Sequence, residues 1–242
     1  MAYLAKAESN PPALGWRGIR LTLDHPEIFL TQLRAALRAD IGIGNLRLLL
    51  PMISDVGDVE QALVLLDQAQ RQLVEEGYAV TRPKIGVMIE VPAAIYQLEQ
   101  LARHADFLSV GTNDLSQYLL ATDRNNPRVS RRLDPGHPAL LHALQLIVHV
   151  SKATGKPVTV CGEMANDAGC ALLLLGMGFD GLSISATAIP RVKWAIRSVA
   201  VMHMQALARQ VLQLERPEHV HRLLEQTLRD AGLERLSGQP HC

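Results

Sequence analysis

The chain has 242 residues with 24 basic and 24 acidic side chains and only 4% aromatics, so neither net charge nor base-stacking rings point to nucleic acid or an anionic membrane surface. With 48% hydrophobic and 20% charged residues it can bury a sizeable core, as one large domain or two small ones. No apolar run reaches bilayer length, "MAYLAKAESNPP" lacks a signal-peptide core, and Cys161, Cys170 and Cys242 have no CxxC spacing, so a cytoplasmic protein is expected.

In chain order, "GWRGIR" (15–20) comes first and sets Arg17 and Arg20 among glycines, which allow close backbone approach to an anion that a guanidinium can fork. "DHPEIFLTQLRAALRA" (24–39) predicts a helix with a capping residue before Pro26 and a face of Phe29, Leu33 and Leu37. "LRLLLPM" (46–52) is a branched apolar run and predicts a strand. After "ISD", Val56, Val59, Leu63 and Leu66 mark a helical face. "KIGVMIE" (84–90) is a second strand, and Pro92 opens a helix through Leu101. "DFLSVGT" (106–112), "PVTVCGE" (157–163) and "GLSIS" (181–185) are further strands, with helices over 138–153 and 167–176 between them. From 187 to 236 the chain reads as helices parted near Pro217, with Leu207, Val211 and Leu214 on one face and Leu224 and Leu228 on another; they pack on the outside of a sheet or on a second subunit. Cys170 belongs to the core, and Cys242 to a disordered end.

Near-continuous apolar strands alternating with helices suit a parallel sheet buried on both faces, in an α/β barrel or a doubly wound sheet. About five strands are visible. A closed eight-stranded barrel takes about 250 residues. The expectation is therefore an open sheet, or the later part of a longer protein.

Three strands end in polar groups: Glu90, Asn113 with Asp114, and Cys161 with Glu163. Carboxyl ends of neighbouring parallel strands share one rim, where ligands bind. Two carboxylates there, with water and substrate oxygens, suit Mg²⁺. Cys161 at such a rim suits a proton donor or nucleophile. Each residue alone also has a plainer reading: Asp114 as a helix cap, Cys161 as packing, Arg124 as a solvated charge.

Taken together, "NPPALGWRGIRL", "LLPMISDV", "IGVMIEVPAA", "FLSVGTNDLSQYLLATDRNN", "CGEMANDAGCALLLLGMGFDGLSIS" and "IPRVK" resemble, in order over about residues 10–200, the C-terminal phosphoenolpyruvate (PEP)-binding barrel of enzyme I of the bacterial phosphotransferase system. Pyruvate phosphate dikinase and PEP synthase share that barrel, but "TNDLSQYLLATDRNN" is nearer to enzyme I, and "RNNPRVSRRLDPGHPALLHAL" resembles its nitrogen-branch paralogue. The resemblance implies a (β/α)8 barrel, here about five strands of eight with C-terminal helices, that serves phosphoryl transfer from PEP to an enzyme histidine with release of pyruvate. It implies Mg²⁺ on Glu90 and Asp114, the PEP phosphate held by Asn113, Arg124 and Arg17, and Cys161 protonating C3 of the enolate. It also implies a phosphocarrier partner of the HPr type and a homodimer.

No segment resembling "LYRTE" or "RTMD", which carry two further phosphate-binding arginines in the family, occurs here, nor does the "TSH" context of the phosphorylated histidine. Residues 1–242 are thus expected to be the back part of the barrel, without its first strands or the phosphohistidine domain, to bind PEP weakly, and to associate through exposed strand edges. Two other readings stay open: a metal-dependent, pyruvate-forming aldolase or lyase of similar shape, and a non-catalytic dimerisation or PEP-sensing module.

Overall fold

Five short apolar runs become five parallel strands: β1 (Arg47–Leu50), β2 (Lys84–Ile89), β3 (Phe107–Gly111), β4 (Val158–Cys161) and β5 (Gly181–Ser183). They come from a computed structural model that describes residues 13–236, so the expectations placed on "MAYLAKAESNPP" and Cys242 lie outside the described residues. The strands lie side by side in chain order, β1-β2-β3-β4-β5, and every pair is parallel. A doubly wound sheet reverses its order at a switch point, and this one does not. A sequential order with crossovers of one hand sends the helices to one face, which is the geometry of an incomplete (β/α)8 barrel.

The helices form that outer layer. The first are α1 (Ile19–Asp24), α2 (Pro26–Ala39), α3 (Val56–Glu75), α4 (Pro92–Tyr96) and α5 (Leu98–His104). Then come α6 (Thr112–Leu119), α7 (Pro138–Ala153), α8 (Ala168–Met177), α9 (Ile189–Ser198), α10 (Val201–Val211) and α11 (Pro217–Asp230). Helix α2 packs on α3, α3 on α5, and α5 on α7, so consecutive crossovers lie shoulder to shoulder. Beneath them Ile85, Val87 and Ile89 of β2 and Leu108 and Val110 of β3 are buried. Strand alternation sends Lys84, Gly86, Met88, Phe107, Ser109, Thr159 and Cys161 to the opposite, inner face.

Local chemistry explains most boundaries. Asp55 caps α3 in a reciprocal box with Asp58. Asp167 caps α8, and Gly178 ends it in the left-handed conformation. Three boundaries differ from the sequence expectation. Asp24 does not cap α2; it ends α1 and accepts the Trp16 indole N–H at 2.7 Å. The helix opened by Pro92 breaks at Gln97, whose backbone N–H closes three residues back on Ala94 and whose amide donates to the Ser54 carbonyl at 3.2 Å. The tail breaks at Val199 and Ala200, both extended, so Leu214 lies past the end of α10.

The tail has a physical task. Helix α8 is apolar all round: Ala168 to Leu174 are all buried, so it needs cover on its outer side as well as against the sheet. Helices α10 and α11 supply it, with Met204, Leu207 and Val211 of α10 and Val220, Leu224 and Leu228 of α11 buried. Among the described residues no helix is long and apolar enough to cross a membrane.

Replacing Leu207 by Ala, which uncovers α8, is expected to cost about 2–4 kcal/mol in chemical denaturation. Val201→Ala, an exposed position on the same helix, is expected to cost under about 0.5 kcal/mol. Equal losses would contradict the role assigned to the tail.

Candidate functional site

Strand register fixes where the polar strand ends meet. Ile89 pairs with Val110, Val110 with Val160, and Gly111 with Cys161. Glu90, the residue after Ile89, therefore stands beside Gly111, and Cys161 stands on its other side. Asn113 and Asp114 follow in the first turn of α6. Arg17 arrives from the segment before α1, and Arg124 from the loop after α6. The six residues to which the resemblance gives roles are thus brought to one rim.

The two carboxylates are its buried centre, Glu90 at 3% and Asp114 at 7% exposure. Burial pushes the Glu90 carboxyl above its ordinary value, and the neighbouring Asp114 adds to the rise. Two groups oppose it: the Met52 backbone N–H, which donates to Glu90 Oε1 at 2.7 Å, and Arg17. Met52 directs that N–H from a left-handed backbone, φ 59°, uncommon outside glycine and found where neighbouring structure holds it. On the other flank a Cβ on Gly111 would fall 2.8 Å from Glu90 Oε2, so glycine leaves the carboxylate its place.

Arg17 forks onto Asp114, with Nη1 donating to Oδ1 at 3.1 Å and Nη2 to Oδ2 at 3.2 Å. That paired hydrogen bond raises the arginine above its ordinary value. Arg124 stands 3.8 Å from Asp114 Oδ1. Asp114 is not a helix cap: α6 begins two residues earlier, at Thr112, with no side-chain cap bond. The Arg124 side chain is 40% exposed, and its place is set by its backbone. Its backbone N–H donates to Gln117 Oε1 at 2.9 Å, while Thr122 N–H bonds the Gln117 carbonyl at 3.0 Å across Ala121, φ 50°. Gln117 thereby holds both steps of the turn that returns Arg124. Its buried Nε2 has no partner among the described residues.

Asn113 Oδ1 accepts the Glu163 backbone N–H at 3.1 Å, which ties α6 to the end of β4 and leaves the amide donors uncommitted among the described residues. The approach depends on Gly162: at φ 130° it is in a region L side chains avoid, and a Cβ would fall 2.2 Å from Thr112 Oγ1. The Cys161 thiol donates to the Val110 carbonyl at 3.3 Å and accepts from Ser109 at 3.6 Å. Burial pushes it above its ordinary value, with Glu90 and Asp114 adding to the rise, so it keeps its proton at neutral pH. Beside α6 a cleft of ≈ 500 Å³ is lined by Asn113, Ser116, Arg124, Asp134 and Met164 among others. Asn113 and Arg124 border both this cleft and the carboxylates.

Among the described residues no group of three or more His, Cys, Asp or Glu forms a closed metal cage. Two buried carboxylates at an open rim instead suit a hard cation that completes its shell with water and substrate oxygens, the habit of Mg²⁺.

Four contributors were not foreseen: Met52, Gln117, and the pair Asp134–His221. Gln117 follows Asp114 at helical spacing, and Met52 follows a strand-ending proline; nothing local marks the pair, whose members are 87 positions apart. His221 of α11 meets Asp134 on the cleft wall at 2.7 Å, so the tail pins the site loop. The Asp134 hydrogen bond raises His221, with Asp167 and Glu225 helping. Burial lifts Asp134, but bonds from His221 and Gly136 outweigh it and the carboxyl sits below its ordinary value.

The raised His221 stabilises the fold below its ordinary 6.5 and loses that contribution as pH rises through the raised value. The lowered Asp134 stabilises above 3.8 and loses it as pH falls through the lowered value. The melting temperature of wild type is therefore expected to exceed that of His221→Gln most between the ordinary values 3.8 and 6.5, with the gap closing as pH rises above 6.5 through the raised value. A gap independent of pH would contradict the ion pair.

Comparison with known proteins follows the same lines. A solved citrate lyase from Burkholderia xenovorans LB400 superposes with a TM-score of 0.51 at 20% identity, covering 85% of this chain and 68% of that one, a likeness of fold. A protein of Salmonella typhimurium named "Phosphoenolpyruvate-dependent phosphotransferase system" is 46% identical over 216 residues, covering 89% of this chain and 29% of its own length. The phosphoenolpyruvate-protein phosphotransferase of Haemophilus influenzae is 39% identical over 234 residues, covering 96% of this chain and 40% of its own. The chain thus spans well under half the length of these relatives. Residues 1–201 match the profile described as "PEP-utilising enzyme, PEP-binding domain", and the chain belongs to that family.

Proposed function

We propose that this chain is the PEP-binding part of a cytoplasmic phosphoenolpyruvate–protein phosphotransferase, which moves the phosphoryl group of PEP to an enzyme histidine outside residues 1–242, releases pyruvate, and passes the phosphoryl group to an HPr-type phosphocarrier. The observation that carries this reading is the convergence of Arg17, Glu90, Asn113, Asp114, Arg124 and Cys161 on one rim. The wording of residues 124–144 favours the nitrogen branch, and a homodimer fits the unpaired edges that β1 and β5 present among the described residues.

Each side chain has a task at a definite atom. Arg17, Arg124 and the Asn113 amide donors hold the phosphate, where fixed guanidinium forks offset its charge. Glu90 and Asp114 hold Mg²⁺, which when bound supplies positive charge beside the shifting negative charge of phosphoryl transfer. Cys161, kept protonated by its surroundings, gives its proton to C3 of the enolate, so the product leaves as the ketone. The sheet and α6 hold these groups on rigid elements, which preserves their aim.

Nothing specific favours the alternatives. The likeness to a citrate lyase is one of fold, and a purely sensing module has no use for a half-buried thiol beside two carboxylates.

Protonation at C3 runs in both directions, so it is testable without the histidine. With Mg²⁺ and millimolar pyruvate in D₂O, the chain is expected to exchange the pyruvate methyl protons faster than buffer does. Cys161→Ala should lower that excess at least about tenfold. Exchange absent from wild type, or equal in the two proteins, would contradict the role given to Cys161.

A further inference from the structure

Asp114 is asked to do two things at once. As a metal ligand it must offer an oxygen to a divalent cation, yet each of its oxygens already accepts a hydrogen bond from the Arg17 fork, at 3.1 and 3.2 Å. A guanidinium and a divalent cation on one buried carboxylate repel each other, and around an Asp114 only 7% exposed solvent screens that repulsion weakly. Glu90 does not draw the guanidinium away: its Oε1 accepts the Met52 N–H at 2.7 Å, and the Arg17 fork lies on Asp114.

The charge count sharpens the point. Two carboxylates, Glu90 and Asp114, face two guanidiniums, Arg17 and Arg124, so the four groups balance. A divalent cation arriving by itself would leave two excess positive charges around the two buried carboxylates. A phosphate-bearing anion arriving with it removes that excess. The anion also gives Arg17 a second partner of the same bidentate geometry as the carboxylate it leaves. Arg17 is placed for such an exchange: its side chain is about a third exposed at the rim, while Asp114 is fixed in the first turn of α6.

We propose that Arg17 and the divalent cation compete for Asp114, and that a phosphate-bearing anion relieves the competition by drawing the guanidinium to itself, so that cation and anion bind as a coupled pair. The proposal rests on the reading that Glu90 and Asp114 hold the cation. The coupling is reciprocal: the factor by which the anion tightens cation binding is the factor by which the cation tightens anion binding. Its use is to keep the rim from loading metal alone, since a site that fills only as a pair presents the phosphate and its counter-charge together.

The test is a titration of Mn²⁺ into the 242-residue chain, followed by electron paramagnetic resonance of the free ion, with and without inorganic phosphate or PEP. Wild type is expected to bind Mn²⁺ alone at least about tenfold more weakly than Arg17→Gln. The anion should tighten Mn²⁺ binding about fivefold or more in wild type and by less than half that factor in Arg17→Gln. Arg17→Lys, which keeps the charge without the fork, should fall between the two and serves if the Gln variant does not fold. Added Mn²⁺ should raise the melting temperature of Arg17→Gln more than that of wild type.

Equal or weaker Mn²⁺ binding in Arg17→Gln, or the same anion effect in both proteins, overturns the competition. Asp114→Asn separates that failure from failure of the metal reading. If Asp114→Asn abolishes Mn²⁺ binding while Arg17→Gln gains none, the cation site stands and only the competition falls. If Asp114→Asn leaves Mn²⁺ binding intact, the cation is held elsewhere and both fall. Mn²⁺ binding detectable in neither wild type nor Arg17→Gln also overturns both.

Discussion

Two carboxylates placed side by side at the ends of adjacent strands, nearly closed to water, repel one another, and much of the surrounding structure offsets that repulsion. Arg17 crosses from the beginning of the described chain to fork onto Asp114. Met52 adopts an uncommon backbone conformation to give Glu90 an N–H. Gly111 withholds a side chain so that Glu90 fits. The Met52 backbone and the close approach at Gly111 are unusual by themselves. They make sense together if the carboxylates are wanted where they are, which is the usual mark of a functional site.

The scaffold supplies the rigidity such a site needs. Parallel register brings three strand ends to one level, and the outer helices hold the strands from behind. The C-terminal helices contribute twice: α10 and α11 cover the apolar α8, and His221 of α11 reaches Asp134 on the wall of the cleft. Stability of the tail and order of the Arg124 loop are therefore linked, although α11 contributes none of the six rim residues.

Much of this was legible in the chain. The five strands stand out because the residues they turn to the helices, such as Ile85, Val87, Ile89, Leu108 and Val110, are apolar and buried. Glu90, Asp114 and Cys161 stand out because each interrupts such a run at its carboxyl end. What was not legible has a common cause, which is that it depends on contacts distant in sequence or on backbone geometry. The Met52 conformation is coupled to Glu90, 38 positions away, through the hydrogen bond between them. The Asp24 cap is lost because Trp16 claims the carboxylate. The break at Val199 and Ala200 carries neither glycine nor proline, and the helix that follows it packs on α8. Strand order in space, which separates a barrel from a doubly wound sheet, is likewise a property of packing that periodicity does not encode.

The central claim is that the cation sits between Glu90 and Asp114 with a phosphate-bearing anion on the same rim. Paramagnetic broadening of backbone amide resonances by sub-stoichiometric Mn²⁺, in the presence of PEP, tests it most directly. The account predicts loss of signal centred on Glu90, Gly111 to Asp114 and Cys161 to Glu163, and its disappearance in Glu90→Gln. Broadening centred elsewhere, or unchanged by that substitution, would contradict it.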